Sequence, residues 1–143
     1  MAIPVSQELL DMSDKALAKA ISAMISWGHG PTAHMHDNTQ PGHSFIGYGQ
    51  RLMALNDDDA LRADLYACNT YTNGPDAAKS LMQPALCILA ENDRMTPVKF
   101  GRVMAKTLSH AEMTIISGAG HMLPAEYPAE VNAALRSFFQ PSQ

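Results

Sequence analysis

The chain has 143 residues, of which 46% are hydrophobic and 17% are charged, and its formal net charge is −4 at pH 7. This length suffices for one domain with a buried core, and the composition excludes an intrinsically disordered chain. The negative charge and the scattered Lys and Arg residues argue against a nucleic-acid partner, because phosphate binding requires clustered positive charge.

The N-terminal segment and the two cysteines bear on the cellular compartment. Residues 1–5 carry no basic side chain and no long apolar run, so a secretion signal is not indicated. The sequence has no apolar stretch of the roughly 18 residues that a membrane span requires. Cys68 and Cys87 show no Cys-x-x-Cys spacing, and we predict two buried, reduced thiols. A cytoplasmic protein without a membrane partner is therefore expected.

Hydrophobic periodicity predicts a helical N-terminal half. Residues 6–27 are predicted as one helix, because apolar residues recur at helical spacing from Leu9 to Ile25. Residues 28–49 are rich in Gly, Pro, Asn, Thr and His, and they are predicted as a long loop. Further helices are predicted over residues 50–55, 57–71 and 76–82.

From Pro84 onwards the pattern changes to alternating strands and helices. Residues 85–90 form a short continuous apolar run, which is typical of a parallel strand buried on both faces. The later predicted elements are a helix over 97–108, a strand over 113–116 and a helix over 128–139. This order predicts an α/β fold with a parallel sheet and right-handed crossovers. The chain is thus divided into a helical region, residues 1–80, and a β-α-β-α unit, residues 81–143.

A carboxylate and an imidazole follow the two predicted strands. Asp93 comes just after the first strand, and His121 follows the second strand in a glycine-rich turn. The carboxyl ends of neighbouring parallel strands meet at one edge of a sheet, where ligands bind. A carboxylate bonded to one imidazole nitrogen fixes the tautomer and leaves the other nitrogen free to take a proton from a hydroxyl. Asp93 and His121 are therefore candidates for a catalytic acid and base, while an Asp at a helix N-cap and a lone His after Gly are also common as purely structural residues.

Two segments around these residues resemble the α/β-hydrolase family. PALCILAENDRMTP, residues 84–97, resembles the strand that presents the triad acid, and TIISGAGHMLPAEYP, residues 114–128, resembles the terminal strand and histidine turn. The resemblance implies a partial α/β-hydrolase, in which a helical cap precedes a β-α-β-α parallel-sheet unit. It implies that Asp93 orients His121 and that Glu126 and Pro128 are structural.

The family also implies an activity, which is hydrolysis of a small ester or related small-molecule substrate through a Ser-Asp-His triad. Such a triad works with side chains alone, and the sequence predicts no cofactor and no metal. The residues from 5 to 80 resemble, less closely, the cap that such hydrolases insert before the acid-bearing strand. Substrate identity does not follow from the fold.

The nucleophile that the resemblance implies is not evident in this chain. The family places its Ser on a G-x-S-x-G turn between a strand and a helix, and the near match is Gly42-His43-Ser44-Phe45-Ile46-Gly47. The preceding residues 36–41 do not predict a buried strand. We therefore interpret the chain as the C-terminal part of a larger hydrolase. Its first strand would then expose a sheet edge, through which a homo-oligomer could form.

Two other classes of function stay open at this point. His29, His34, His36, Asp37 and His43 lie within a short segment, and imidazole and carboxylate groups are Zn²⁺ ligands, so a metal-binding protein is one alternative. The other alternative is a non-catalytic interaction module, in which the helical region and the ten methionines provide an adaptable apolar surface.

Overall fold

A computed structural model of the chain describes residues 4–36 and 44–140, which contain nine helices and two strands. None of the helices in these two ranges is long and apolar enough to cross a membrane. The elements in chain order are α1 Gln7–Lys15, α2 Leu17–Gly28, α3 Pro31–His36, α4 Phe45–Met53, α5 Ala60–Thr70, α6 Gly74–Ser80, β1 Ala85–Ala90, α7 Val98–Thr107, β2 Ala111–Ile116, α8 Leu123–Glu126 and α9 Pro128–Phe139.

The prediction of a single helix over residues 6–27 is wrong, because the helix is interrupted at Ala16 and forms two helices, α1 and α2. Ala16 has φ −155° and ψ 61°, which are not helical angles. In the turn before the break, the Ser13 hydroxyl donates to the carbonyl of Leu10 at 2.7 Å, a local bond that competes with regular helix. The break lets α1 pack on both α2 and α5, with a buried cluster of Leu9, Leu10, Ala20 and Leu65.

The long loop predicted over residues 28–49 is also partly wrong. The helix α3 lies within it, and α4 begins at Phe45, earlier than predicted. The Ser44 hydroxyl accepts a hydrogen bond from the backbone N–H of Gly47 at 2.9 Å, and this N-cap starts the helix. Glycine lowers helix propensity, but packing of α4 against α2 compensates for it. Residues 37–43 lie outside the described residues.

The β-α-β-α unit agrees with the prediction, and the α/β fold class is confirmed. Strands β1 and β2 are parallel, with a register from Ala85 opposite Ala111 to Ala90 opposite Ile116. The crossover helix α7 packs against both strands, and α9 has the predicted bounds. A second buried cluster holds the carboxyl ends of the strands against α9, and its members are Ala90, Ile116, Ala119 and Val131.

Strand β1 and the two cysteines are less buried than the sequence predicted. Only Ala90 of β1 is fully buried, because β1 pairs with β2 along one edge and no second partner strand lies within the described ranges. Cys87 is half-buried, and burial raises the pKa of its thiol. Cys68 is exposed, since α5 turns Leu65 rather than Cys68 towards the core. The prediction of two buried thiols is therefore wrong.

Candidate active site

The two strand ends bring an acid and a base into direct contact. Asp93 lies just beyond β1 and His121 just beyond β2, at the shared carboxyl edge of the parallel pair. The Nδ1 atom of His121 is 2.9 Å from Oδ2 of Asp93. The Asp93 side chain is 9% exposed and that of His121 is 40% exposed. The carboxylate is thus shielded behind an imidazole that reaches solvent.

The Asp93 carboxylate is fixed by the turn that follows it. Its Oδ1 atom accepts hydrogen bonds from the backbone N–H groups of Met95 at 2.8 Å and Thr96 at 2.7 Å, which is an Asx-type turn. The Thr96 hydroxyl donates to Oδ2 at 2.8 Å and lies 3.4 Å from Nδ1 of His121. Thr96 was not among the residues predicted from the sequence. The Asp-x-x-Thr spacing could have identified it, because Asp commonly binds the backbone two or three residues ahead.

The hydrogen bonds shift the proton affinities of the pair in opposite directions. Burial raises the pKa of Asp93, but the hydrogen bonds from His121 and Thr96 outweigh burial and hold the pKa below its ordinary value of 3.8. The hydrogen bond to Asp93 raises the pKa of His121 above its ordinary value of 6.5, against the effect of burial. The charges of Asp93 and Glu126 act in the same upward direction on His121. The pair therefore favours an ionised carboxylate beside an imidazole that accepts protons readily.

The turn that carries His121 is tied to the loop that carries Asp93. Gly118 has φ +75°, a backbone angle that would be strained in a residue with a side chain. Glycine at this position therefore lets the chain reverse sharply after β2. The Glu91 carboxylate accepts hydrogen bonds from the Ser117 hydroxyl at 2.6 Å and from the backbone N–H of Gly118 at 3.0 Å. The backbone N–H of Asn92 donates to the carbonyl of Ala119 at 2.9 Å. These bonds fix the relative positions of acid and base.

The same turn is bonded to the helical region. The backbone N–H of Met122 donates to the carbonyl of Gly28 at 3.0 Å. The buried Glu126 carboxylate accepts through Oε2 from the backbone N–H of Gly30 at 2.8 Å and of Gly120 at 3.2 Å. Glu126 was expected to be structural, and in the structure its carboxylate connects the turn at Gly30 with the turn at Gly120. No local sequence signal indicates this connection.

A largely apolar cavity of about 400 Å³ opens beside the acid and base. It runs along β1 and α7, and its polar lining residues are Asp93, Thr96, Thr107 and His121. The apolar wall comes chiefly from Ile88, Leu89, Ala90, Val98, Phe100, Val103 and Met104. A mainly apolar surface therefore borders the Asp93–His121 pair.

The other sequence candidates that the structure describes make their side-chain hydrogen bonds to groups other than Asp93 and His121. Ser44 is the N-cap of α4, and its hydroxyl is engaged with Gly47. The Nδ1 atom of His29 bonds the carbonyl of Ile25, and the Nε2 atom of His34 bonds that of Ser26, both at 2.8 Å. Within the described part of the chain no three His, Cys, Asp or Glu side chains converge as a metal site would require. Asp37 and His43 of the proposed metal-binding segment lie outside the described residues.

Solved structures show what this arrangement is similar to. A thermophilic esterase is 26% identical, with a TM-score of 0.73 over 94% of this chain and 50% of that chain. A bromoperoxidase from Bacillus anthracis is 17% identical, with a TM-score of 0.77 over 92% of this chain and 47% of that chain, a likeness that shows the fold alone. This chain therefore spans about half the length of these two structures.

Sequence comparisons point to the same superfamily. An uncharacterized hydrolase of Bacillus subtilis, YugF, is 27% identical over 66 residues, which are 46% of this chain and 24% of that protein. The family model described as TAP-like protein matches residues 59–143, more than half of the chain. These residues include the whole β-α-β-α unit with Asp93 and His121. The chain therefore belongs to the TAP-like protein family of the α/β-hydrolase superfamily.

Proposed function

We propose that this chain is the part of an esterase-like hydrolase that holds the acid and the base of a Ser-Asp-His triad. The observation that carries the proposal is the 2.9 Å contact between Asp93 and His121 at the shared end of two parallel strands. The membership in an α/β-hydrolase family and the likeness to an esterase structure support hydrolysis as the reaction. The substrate class that we infer is a small ester or a related small molecule.

In this proposal the two side chains have distinct parts. Asp93 accepts the Nδ1–H of His121, so Nε2 is the nitrogen that takes the proton from the attacking hydroxyl. The lowered pKa of Asp93 keeps the carboxylate ionised, and its negative charge stabilises the imidazolium that forms. His121 then gives this proton to the leaving alcohol as the ester C–O bond breaks, and the acyl group stays on the nucleophile. In the second half of the reaction, His121 takes a proton from water, which attacks the acyl group, and returns the proton to the nucleophile as the acid product leaves.

We propose that neither Ser44 nor any other residue of this chain is the nucleophile, and that polypeptide completing the hydrolase fold supplies it. The chain spans about half the length of the structures that it resembles. The second edge of β1 and the apolar cavity along α7 offer the surface on which further strands and helices would pack. Residues 1–80 would then form a cap over the substrate. If a second copy of the chain occupies this edge instead, the purified protein should be a dimer by light scattering.

Two measurements on the purified chain test the proposal. The first is an NMR titration of His121 in the wild type and in Asp93→Asn, where we expect a raised pKa that falls in the variant. A pKa that does not respond to Asp93→Asn would overturn the acid and base assignment. Glu112→Gln, an exposed change on β2, serves as the matched control.

The second measurement locates the nucleophile. The wild type and His121→Ala are compared for turnover of a short-chain p-nitrophenyl ester and for covalent labelling by a fluorophosphonate. We expect neither turnover nor serine labelling above the variant when the chain is alone. Turnover that His121→Ala abolishes, together with labelling that Ser44→Ala removes, would place the nucleophile within this chain and refute the proposal that it lies elsewhere.

A further inference from the structure

Glu126 is a buried carboxylate that the proposed reaction does not use. Its residue surface is 7% exposed, and it lies at the end of the short helix α8. Burying a carboxylate is costly unless its oxygens are bonded. Oε2 accepts two backbone N–H groups, whereas Oε1 is buried without a hydrogen-bond partner among the described residues. Burial of Glu126 therefore costs free energy, because Oε1 loses its hydration without gaining a hydrogen bond from a described residue.

The two backbone groups that Glu126 binds belong to turns in direct contact. A Cβ atom on Gly120 would overlap the backbone nitrogen of Gly30, and one on Gly30 would come within 2.7 Å of the nitrogen of Gly120. Because the two turns approach so closely, neither Gly30 nor Gly120 has room for a side chain of its own, and both N–H groups point towards Glu126. One carboxylate oxygen of Glu126 accepts both hydrogen bonds and so joins the two turns.

The contact reaches His121 in two ways. Gly120 immediately precedes His121, so the N–H bond to Glu126 restrains the backbone that aims the imidazole. The negative charge of Glu126 also acts on the imidazole and raises the pKa of His121, in addition to the larger effect of Asp93. Within residues 4–36 and 44–140, these are the two charged groups that act on the pKa of His121, one from the loop after β1 and one from α8.

We propose that Glu126 is a positioning residue for His121, which fastens the histidine turn to the turn between α2 and α3 and places a second negative charge behind the imidazole. This proposal rests on the proposed function, because orienting His121 matters for the reaction only if His121 is the base. It also links the helical region to the site, because Gly30 lies in the helical region and Gly120 lies in the histidine turn.

Two substitutions of Glu126 distinguish the effect of its side-chain length, which allows the hydrogen bonds to Gly30 and Gly120, from the effect of its negative charge. Glu126→Gln keeps an oxygen that can accept both N–H groups but removes the charge. We expect the pKa of His121 to fall, while hydrogen exchange at the amides of Gly30 and Gly120 stays as slow as in the wild type. Glu126→Asp keeps the charge but shortens the side chain. We expect exchange at Gly30 to accelerate roughly tenfold or more, because a charge-assisted bond is lost, with a smaller change in the His121 titration.

The control is Glu130→Gln, an exposed change on the neighbouring helix α9, which should alter neither measurement. An unchanged His121 pKa in Glu126→Gln would overturn the proposed effect of the charge. Fast exchange of the Gly30 and Gly120 amides in the wild type would overturn the fastening without any variant. The Asp93→Asn titration separates the two proposals: a response to Asp93→Asn but not to Glu126→Gln removes only the part assigned to Glu126.

Discussion

The Asp93–His121 pair should leave a pH-dependent signature in the stability of the chain, and Asp93→Asn isolates it. An asparagine oxygen can keep accepting the backbone N–H groups of Met95 and Thr96, which lie 2.8 and 2.7 Å from the present carboxylate oxygen. The amide nitrogen then faces Nδ1 of His121 in place of a negative oxygen. The substitution therefore removes the ionic part of the contact and leaves the Asx-type turn in place.

The sign of the effect follows from the two pKa shifts. The pKa of His121 is raised, so its contribution to stability is fully present below its ordinary value of 6.5 and is lost as the pH rises through the folded value. The pKa of Asp93 is lowered, so its contribution is present above 3.8 and is lost as the pH falls through the folded value. Both contributions act together between pH 3.8 and pH 6.5.

The magnitude is set by the partial exposure of the pair. The His121 side chain is 40% exposed, so solvent screens the attraction, and we expect Asp93→Asn to lower the free energy of unfolding by about 1 kcal/mol in this window. Urea denaturation of both proteins at several pH values measures the difference. The exposed change Asp58→Asn is the control. A difference that is constant with pH, or one that grows above pH 8, would refute the pairing of an ionised Asp93 with a protonated His121.

Three further substitutions test other parts of the structure. Thr96→Val removes the hydroxyl that donates to Asp93 at 2.8 Å, so the pKa of Asp93 should rise in a carboxyl NMR titration, and an unchanged value would remove Thr96 from the site. Ser44→Ala should cost about 1 kcal/mol in urea denaturation through loss of the α4 N-cap and should leave the titration of His121 unaltered. Leu65→Ala, in the buried cluster of the helical region, should cost roughly 2 to 4 kcal/mol in the same assay, whereas Leu55→Ala, which is 83% exposed, should stay within about 0.5 kcal/mol. Equal losses in the two leucine variants would contradict the assigned core.

The contact between Asp93 and His121 could be predicted because a short rule of topology determines it. Two apolar runs separated by one helix indicate neighbouring parallel strands, and residues that follow such strands meet at one edge. The structure has that topology, and the side chains are in contact although they are 28 positions apart. The bounds of β1 and α9 could be predicted for local reasons: Pro84 and Glu91 flank the apolar run of β1, and α9 begins at Pro128 and carries apolar residues at helical spacing up to Phe139.

The helical region followed no comparable rule. The break at Ala16 has no Pro or Gly to mark it, and the packing of α1 against α2 and α5, together with the Ser13–Leu10 hydrogen bond, explains it. The start of α4 at Phe45 was hidden because Gly47 and Gly49 are typical of loops. The prediction of complete burial for β1 failed for another reason, since an apolar run indicates what a strand could bury and not how many neighbours the sheet supplies.

Long-range bonds also explain why the histidine turn was understood only in part from the sequence. The bond between Gly30 and Glu126 joins residues 96 positions apart, and neither residue lies on a strand whose neighbours could be inferred. The partners of the histidine turn therefore come from both parts of the chain: Glu91 and Asn92 from the loop after β1, and Gly28 and Gly30 from the helical region. Because Gly28 and Gly30 bond to Met122 and Glu126, the helical region supplies contacts to the histidine turn that the β-α-β-α unit alone does not contain.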